Sequence, residues 1–175
     1  AHQQIGIGVD PDIFQQLGQN ACTYLGFKED VTRETLACAI RNGTLTALLN
    51  FYEVKPGECY FIPSGTVHAI GAGCLICEIQ QNSNLTYRVF DYGRVDKNGN
   101  PRELHVEKAL RVADLKKYEK STPCAEFCGD ELLASCEYFR AVRALVHGST
   151  TRIVGDGSLL CVTCMRGEGT LGAHR

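Results

Sequence analysis

Residues 60–94 decide the predicted fold class, and their sequence is YFIPSGTVHAIGAGCLICEIQQNSNLTYRVFDYGR. Short apolar runs in this stretch are separated by the turn sequences Pro63-Ser64-Gly65 and Gly71-Ala72-Gly73. Strands this short, bounded by glycine and proline, are typical of an antiparallel β-sandwich or barrel. The predicted strands are residues 59–62, 67–70, 74–80 and 86–91.

The residues before this stretch predict two helices and two further strands. Asp10-Pro11-Asp12 predicts a short capped helix that ends at Gly18. Thr32 predicts the cap of a second helix, which has Leu36, Ala37 and Ile40 on one face and ends at Asn42-Gly43. Residues 44–49 predict another helical turn or two, and the strands are residues 21–27 and 51–54.

The residues after this stretch predict a helix, a linker and a second β region. Residues 105–115 return to helical spacing, and the polar residues 116–130, which include Pro123 and Gly129, predict a linker. Further strands are predicted at residues 133–146, 150–154 and 159–165. Three strands do not close a sandwich by themselves, so this region must lean on the first or be cut short.

The composition excludes several classes of partner. With 18 basic and 20 acidic side chains the net charge is −2, which indicates no nucleic-acid-binding face. No run reaches the roughly 18 apolar residues that cross a bilayer, so we expect no membrane partner. The first residues have neither the basic nor the apolar part of a signal peptide, which predicts a cytoplasmic protein. The oligomeric state is not indicated.

The ten cysteines allow three interpretations. A disulfide scaffold is usually shorter and secreted. The C-x-x-C pairs Cys74–Cys77 and Cys161–Cys164 have the spacing of structural zinc sites, but both lie in apolar runs that predict strands. Positions three apart in a strand face opposite sides and do not grip one ion. Reduced thiols that behave as small hydrophobic side chains are therefore favoured.

His68, Glu78 and Arg88 are the candidate site residues within the strands, spaced ten residues apart. On adjacent antiparallel strands these side chains can converge on one cavity if their facing agrees. Imidazole is a common zinc ligand, and arginine holds phosphate, so the set suits an anionic sugar. A hydrogen-bonded structural histidine, a buried Glu78–Arg88 ion pair and a solvated Arg94 would explain the same residues without catalysis.

A family resemblance decides between these interpretations. YFIPSGTVHAIGAG (60–73) followed by EIQQNSNLTYRVFDYGR (78–94) resembles the signature region of type I mannose-6-phosphate isomerases, the metal-dependent cupin branch. Looser similarity extends from about Cys22 to Leu171 and includes GFKEDVTRETL (26–36), RELHVEKALRV (102–112) and MRGEGTL (165–171).

The resemblance implies a mainly β protein with a cupin-type antiparallel sandwich, or jelly roll. Residues 1–49 would be a partial strand and helical region, with a small helical insert, that leads into the sheet. Residues 50–115 would be the central cupin strands and following helix, residues 116–130 a linker, and residues 131–175 an incomplete second β unit.

The resemblance also implies a reaction and a role for each candidate. The enzymes interconvert mannose 6-phosphate and fructose 6-phosphate through a cis-enediol, with Zn²⁺ or another divalent metal. His68 matches a metal ligand, Glu78 a carboxylate that lines the active site, and Arg88 an arginine with a role in catalysis and substrate binding. Arg94 matches a basic residue near the substrate phosphate. The implied partner is a small phosphosugar.

The chain departs from the family pattern in its metal ligands. The family has a Gln-x-His pair and a separate Glu upstream of the later His, and no Gln-x-His occurs in these 175 residues. One hypothesis is that the chain is an incomplete part of the enzyme. The alternative is a catalytically inactive cupin that acts as a sugar-phosphate-binding or regulatory module. A cupin dioxygenase is less favoured because the paired histidines of its iron site are missing.

Overall fold

The computed structural model describes residues 4–8, 21–83, 85–91, 95–120, 125–127, 130–153, 157 and 159–172. For residues 4–8 and 125–127 only the backbone is considered. The helix predicted between Asp10 and Gly18 lies outside the described residues, and so does Arg94.

The chain is mainly β, and the pairings between strands are antiparallel, which confirms that part of the prediction. The strands form three-stranded sheets with the orders β4-β1-β6, β3-β2-β5 and β7-β8-β9. Their bounds are β1 Gln4–Gly8, β2 Cys22–Phe27, β3 Leu49–Glu53, β4 Cys59–Ile62, β5 His68–Ile70, β6 Ile76–Gln80, β7 Ala125–Phe127, β8 Asp130–Ser135 and β9 Arg140–Arg143.

The helices are α1 (Arg33–Arg41), α2 (Leu45–Leu48) and α3 (Val106–Val112). Thr32 caps α1 as predicted, because its hydroxyl accepts a hydrogen bond of 3.1 Å from the backbone N–H of Thr35. The buried face of α1 includes Leu36 and Ile40, which join one apolar cluster with residues from β2, α2 and β3. That cluster is Phe27, Leu36, Ile40, Leu45 and Leu49.

A bulge at Gly26 interrupts the pairing of β2 with β3. Gly26 has a φ of +62°, which an L side chain rarely adopts, and a Cβ there would overlap the side chain of Tyr118. The side-chain amide of Asn50 shares its two N–H groups among the carbonyls of Leu25, Gly26 and Phe27, at 3.2, 3.3 and 3.1 Å. The bulge is therefore held from both sides of β2.

The prediction of a strand at residues 86–91 is wrong, because this segment has no strand structure. Its backbone is tied to the start of α3 instead: His105 N–H donates to the Arg88 carbonyl at 2.7 Å. Val89 and Phe90 pack against the apolar cluster that contains residues of α1, α2, β2 and β3. The apolar pattern therefore reflects burial of side chains in this cluster, and sequence periodicity does not distinguish such an irregular buried segment from a half-buried strand.

The second β region is shorter than predicted. The single strand predicted at residues 133–146 corresponds to two strands, β8 and β9. Residues 150–153 and 159–165, which were also predicted to be strands, have no strand structure. Ile153 and Leu159 are 96% and 91% exposed, so these apolar residues lack the neighbouring surface that a strand needs. Within this region, Leu133, Ala134 and Ala141 pack against Cys59 of β4. The third sheet therefore packs against the first sheet, which is one of the two arrangements that the sequence predicted for the second β region.

The described thiols differ in their surroundings. Cys59 is buried, and that burial raises the pKa of its thiol to about 11. Cys38, Cys161 and Cys164 are exposed. The eight cysteines that the structure describes are all free thiols.

No helix in the described ranges is both long and apolar enough to cross a membrane.

Candidate active site

A cavity of about 390 Å³ brings three of the predicted site residues together. His68 from β5, Glu78 from β6 and Arg88 from the irregular segment that follows all line it. The other walls include apolar residues of α2 and α3, such as Leu45 and Ala109. A volume of this size suits a small molecule held by a few polar groups.

The alternation of β6 explains how Glu78 reaches the cavity. Successive strand residues face opposite sides, so Glu78 and Gln80 share one face, and both line the cavity. Cys77 directly precedes Glu78 and faces the other side of β6, where it packs against the cluster that contains Cys59. The facing of β6 therefore agrees with the predicted position of Glu78.

His68 is placed by the bulge in β2. Leu25 pairs with His68 across β2 and β5, and Gly26 N–H donates to the Val67 carbonyl at 2.8 Å. His68 Nδ1 lies 2.9 Å from the Thr66 carbonyl oxygen. Because a carbonyl only accepts, Nδ1 is the donor in this contact, and in the neutral ring Nε2 then has the lone pair, as in a metal-ligating histidine.

Arg88 lies beside a carboxylate that is shared between two arginines. Its Nε is 3.9 Å from Asp91 Oδ1, and Arg102 forms a two-pronged pair with the same carboxylate, with Nε 2.6 Å from Oδ2. The Arg88 and Asp91 side chains are 26% and 11% exposed. Glu78 is exposed, so the buried Glu78–Arg88 ion pair is wrong. The hydrogen bond from Arg102 to Asp91 raises the pKa of the Arg102 guanidinium.

The sequence interpretation missed His105, which sits at the start of α3. His105 N–H donates to Arg88 O at 2.7 Å, and Arg88 N–H donates to His105 Nδ1 at 3.4 Å. The available signal was its position at the first residue of the predicted helix 105–115, where side chains often bond to backbone groups.

The donors among the described residues do not make a complete metal site. Within the part of the chain that the structure describes, no three His, Cys, Asp or Glu side chains form a group that could hold a metal ion. His68 offers one suitable nitrogen, whereas catalytic zinc sites normally use three protein ligands. His68 therefore supplies one ligand of such a set and not the whole of it.

The relatives of the chain share one name. No family model matches it. Mannose-6-phosphate isomerase ManA of Bacillus subtilis is 36% identical over 170 residues, covering 89% of this chain and 54% of ManA. The mannose-6-phosphate isomerase of Streptococcus mutans is 31% identical over 169 residues, covering 89% and 53%. This chain is homologous to part of the mannose-6-phosphate isomerases. It spans about half the length of these relatives.

A solved mannose-6-phosphate isomerase also resembles the fold. The crystal structure of the Bacillus subtilis enzyme matches with a TM-score of 0.66 and 33% identity, covering 79% of this chain and 43% of that chain. The predicted resemblance to mannose-6-phosphate isomerases is therefore confirmed in both sequence and structure.

Proposed function

We propose that this chain supplies one wall of the active site of a type I, metal-dependent mannose-6-phosphate isomerase with a cupin jelly-roll fold. The observation that carries the proposal is that His68, Glu78 and Arg88 line one cavity of about 390 Å³. The names of the relatives support the reaction, the interconversion of mannose 6-phosphate and fructose 6-phosphate. Because the chain spans about half of these relatives, the activity belongs to the full-length protein.

The proposed roles follow from the chemistry of each side chain. An aldose–ketose interconversion moves a proton between C1 and C2, and the carboxylate of Glu78 is the candidate base on this wall. Negative charge develops on the sugar oxygens as the enediolate forms, and the Arg88 guanidinium stabilises that charge. Arg94 is proposed to hold the substrate phosphate, since guanidinium groups form paired hydrogen bonds with phosphate oxygens.

His68 is proposed as one ligand of Zn²⁺ or another divalent metal. The bond from its Nδ1 to the Thr66 carbonyl fixes the ring and directs the lone pair to Nε2. A bound metal would polarise the sugar oxygens as a Lewis acid. The remaining ligands would come from a part of the full-length protein that this chain does not contain.

The domain division is proposed with the same boundaries as the sequence indicated. Residues 50–115 would be the central cupin unit and residues 131–175 the start of a second unit. Residues 116–130 would be the linker between them, and its last part contains β7, which pairs with β8. The proposed location of the reaction is the cytoplasm, where phosphorylated sugars are made and consumed.

A coupled assay tests the reaction directly. Fructose 6-phosphate formation from mannose 6-phosphate would be followed with the full-length protein, and the metal content of the same sample would be determined. Turnover by a metal-loaded protein is the expected result. Binding of fructose 6-phosphate without turnover by a metal-free protein would instead support the inactive binding module, which the names of the relatives do not favour.

His68→Ala is expected to reduce metal affinity in the full-length protein by about a hundredfold or more, because one of only a few ligands is lost. Metal retained after dialysis against a chelator would be measured by elemental analysis. His147→Ala is the matched control, because His147 is an exposed histidine in the second β region. Equal metal content in the two variants would remove His68 from the ligand set.

A further inference from the structure

Arg88 lies in a segment whose position no strand ladder fixes. Residues 85–90 have no strand structure, yet Arg88 lines the cavity together with its neighbours Tyr87 and Val89. A catalytic group must be held to within a fraction of an ångström of its working position. His68 and Glu78 are held in position by strands that pair with their own, so other contacts must hold Arg88 in position.

His105 makes those contacts to the main chain of Arg88. The backbone N–H of His105 donates to Arg88 O at 2.7 Å, and the backbone N–H of Arg88 donates to the His105 side chain at Nδ1, at 3.4 Å. The Tyr87 ring lies 6.2 Å from the imidazole, between ring centres, and packs at a tilt of 49°. Among the described residues that line the cavity, Arg88 and Tyr87 are present and His105 is not.

The imidazole of His105 has contacts that agree on one tautomer. Nδ1 faces the Arg88 N–H and must accept, so it carries the lone pair. Nε2 faces the Glu103 carboxylate at 3.7 Å, an arrangement that favours a proton on Nε2. The hydrogen bond to Nδ1 needs a lone pair there and the Glu103 contact agrees with a proton on Nε2, so the ring is oriented as an acceptor for Arg88.

Asp91 complements His105 by acting on the side chain of Arg88. Its carboxylate lies 3.9 Å from Arg88 Nε and is itself held by Arg102. His105 therefore fixes the backbone from which the guanidinium extends, and Asp91 limits where the guanidinium points.

We infer that His105 is a positioning residue, which through Nδ1 holds the Arg88 backbone so that the guanidinium reaches a phosphosugar in the cavity. The inference rests on the proposed function for its effect on turnover. The contact between His105 and Arg88 that it invokes does not depend on any reaction.

Three variants in the full-length protein test the kinetic part. His105→Ala is expected to lower kcat by roughly tenfold to a hundredfold, with a smaller change in KM, because misplaced catalytic groups cost rates of this order. His105→Asn is expected to restore most of kcat, since its side-chain oxygen lies near the place of Nδ1. His105→Gln places its amide near Nε2 and is not expected to rescue. His147→Ala, an exposed histidine, is the control.

A normal kcat for His105→Ala would overturn the inference, and so would equal losses in the Asn and Gln variants. If the Ala variant does not fold, the comparison between Asn and Gln still decides. Nitrogen NMR of the imidazole provides a readout without turnover: an Nε2–H tautomer is expected, and an Nδ1–H tautomer overturns the inference.

If the wild-type protein were inactive, the proposed function would be refuted. The contact between His105 and Arg88 would still be testable without turnover. In that case the backbone amide resonance of Arg88 is expected to shift in the Ala and Gln variants and to stay in place in the Asn variant. An unchanged Arg88 resonance in all three would overturn the inference.

Discussion

Arg88→Ala in the full-length protein is expected to lower kcat/KM for mannose 6-phosphate by roughly 10²–10³-fold. The guanidinium lines the cavity and is only 26% exposed, so no solvent cation replaces it effectively once it is removed. Steady-state kinetics in the coupled assay measure the effect. Circular dichroism should be unchanged, because the Arg88 contacts that hold the segment to α3 are made by its backbone.

Two further arginine variants sharpen this result. Arg88→Lys is expected to recover only part of the loss, because an ammonium keeps the charge but not the planar fork of donors. Arg111→Ala in α3 is the control for loss of a positive charge at an exposed position. A normal kcat/KM for Arg88→Ala, or equal losses in Arg88→Ala and Arg111→Ala, would remove Arg88 from the site.

Gly26→Ala is expected to lower the free energy of unfolding by about 3–5 kcal/mol, through backbone strain and steric overlap together. The backbone at Gly26 has a φ of +62°, and the added methyl group would overlap Tyr118, whose own backbone N–H donates to Phe27 O at 2.9 Å. Urea unfolding of the full-length protein, followed by tyrosine fluorescence, measures the change in midpoint.

Gly43→Ala separates the two contributions to that loss. Gly43 has a similar φ of +68° after α1, but nothing lies within 4 Å of the position its Cβ would take. It is therefore expected to cost only about 1–2 kcal/mol, the strain without the overlap. If Gly26→Ala is no more destabilising than Gly43→Ala, Tyr118 does not confine the bulge.

Gly26→Ala should also reach the active site. The bulge sets the pairing of Leu25 with His68, so a shift of β2 moves the imidazole. A folded Gly26→Ala protein is therefore expected to hold its metal less tightly than a folded Gly43→Ala protein.

Local signals in the sequence were sufficient for much of the fold. The strand predicted at 59–62 is β4 as observed, and Thr32 caps α1 where a threonine before an apolar face predicts a cap. Turns of proline and glycine also separated β4 from β5 correctly. These features depend on residues within a few positions of one another. The conformation of residues 86–91 and 159–165 depends instead on contacts with residues that are distant in sequence. Their apolar patterns therefore predicted strands that are not present in the structure.

The candidate site was predictable to the level of which residues share a cavity, at least for His68, Glu78 and Arg88. The family motif indicated these residues, and the strand alternation agrees for Glu78. The contribution of His105 was not predictable, because this residue precedes the first turn of α3, is 17 residues from Arg88 in sequence and contacts its backbone atoms. Arg94 stays a prediction, since it lies outside the described residues.

The sheet order described above has a consequence for synthesis on the ribosome. β1 is the middle strand of its sheet, and its Gly6 pairs with Tyr60 on one side and with Glu78 on the other. At the usual rate of roughly 5–20 residues per second, the first strand waits on the order of ten seconds before both neighbours exist. Both of its edges are open to other chains until β4 is made, and one edge stays open until β6 is made. We expect nascent chains that stop before β6 to depend on chaperones far more than chains that include it.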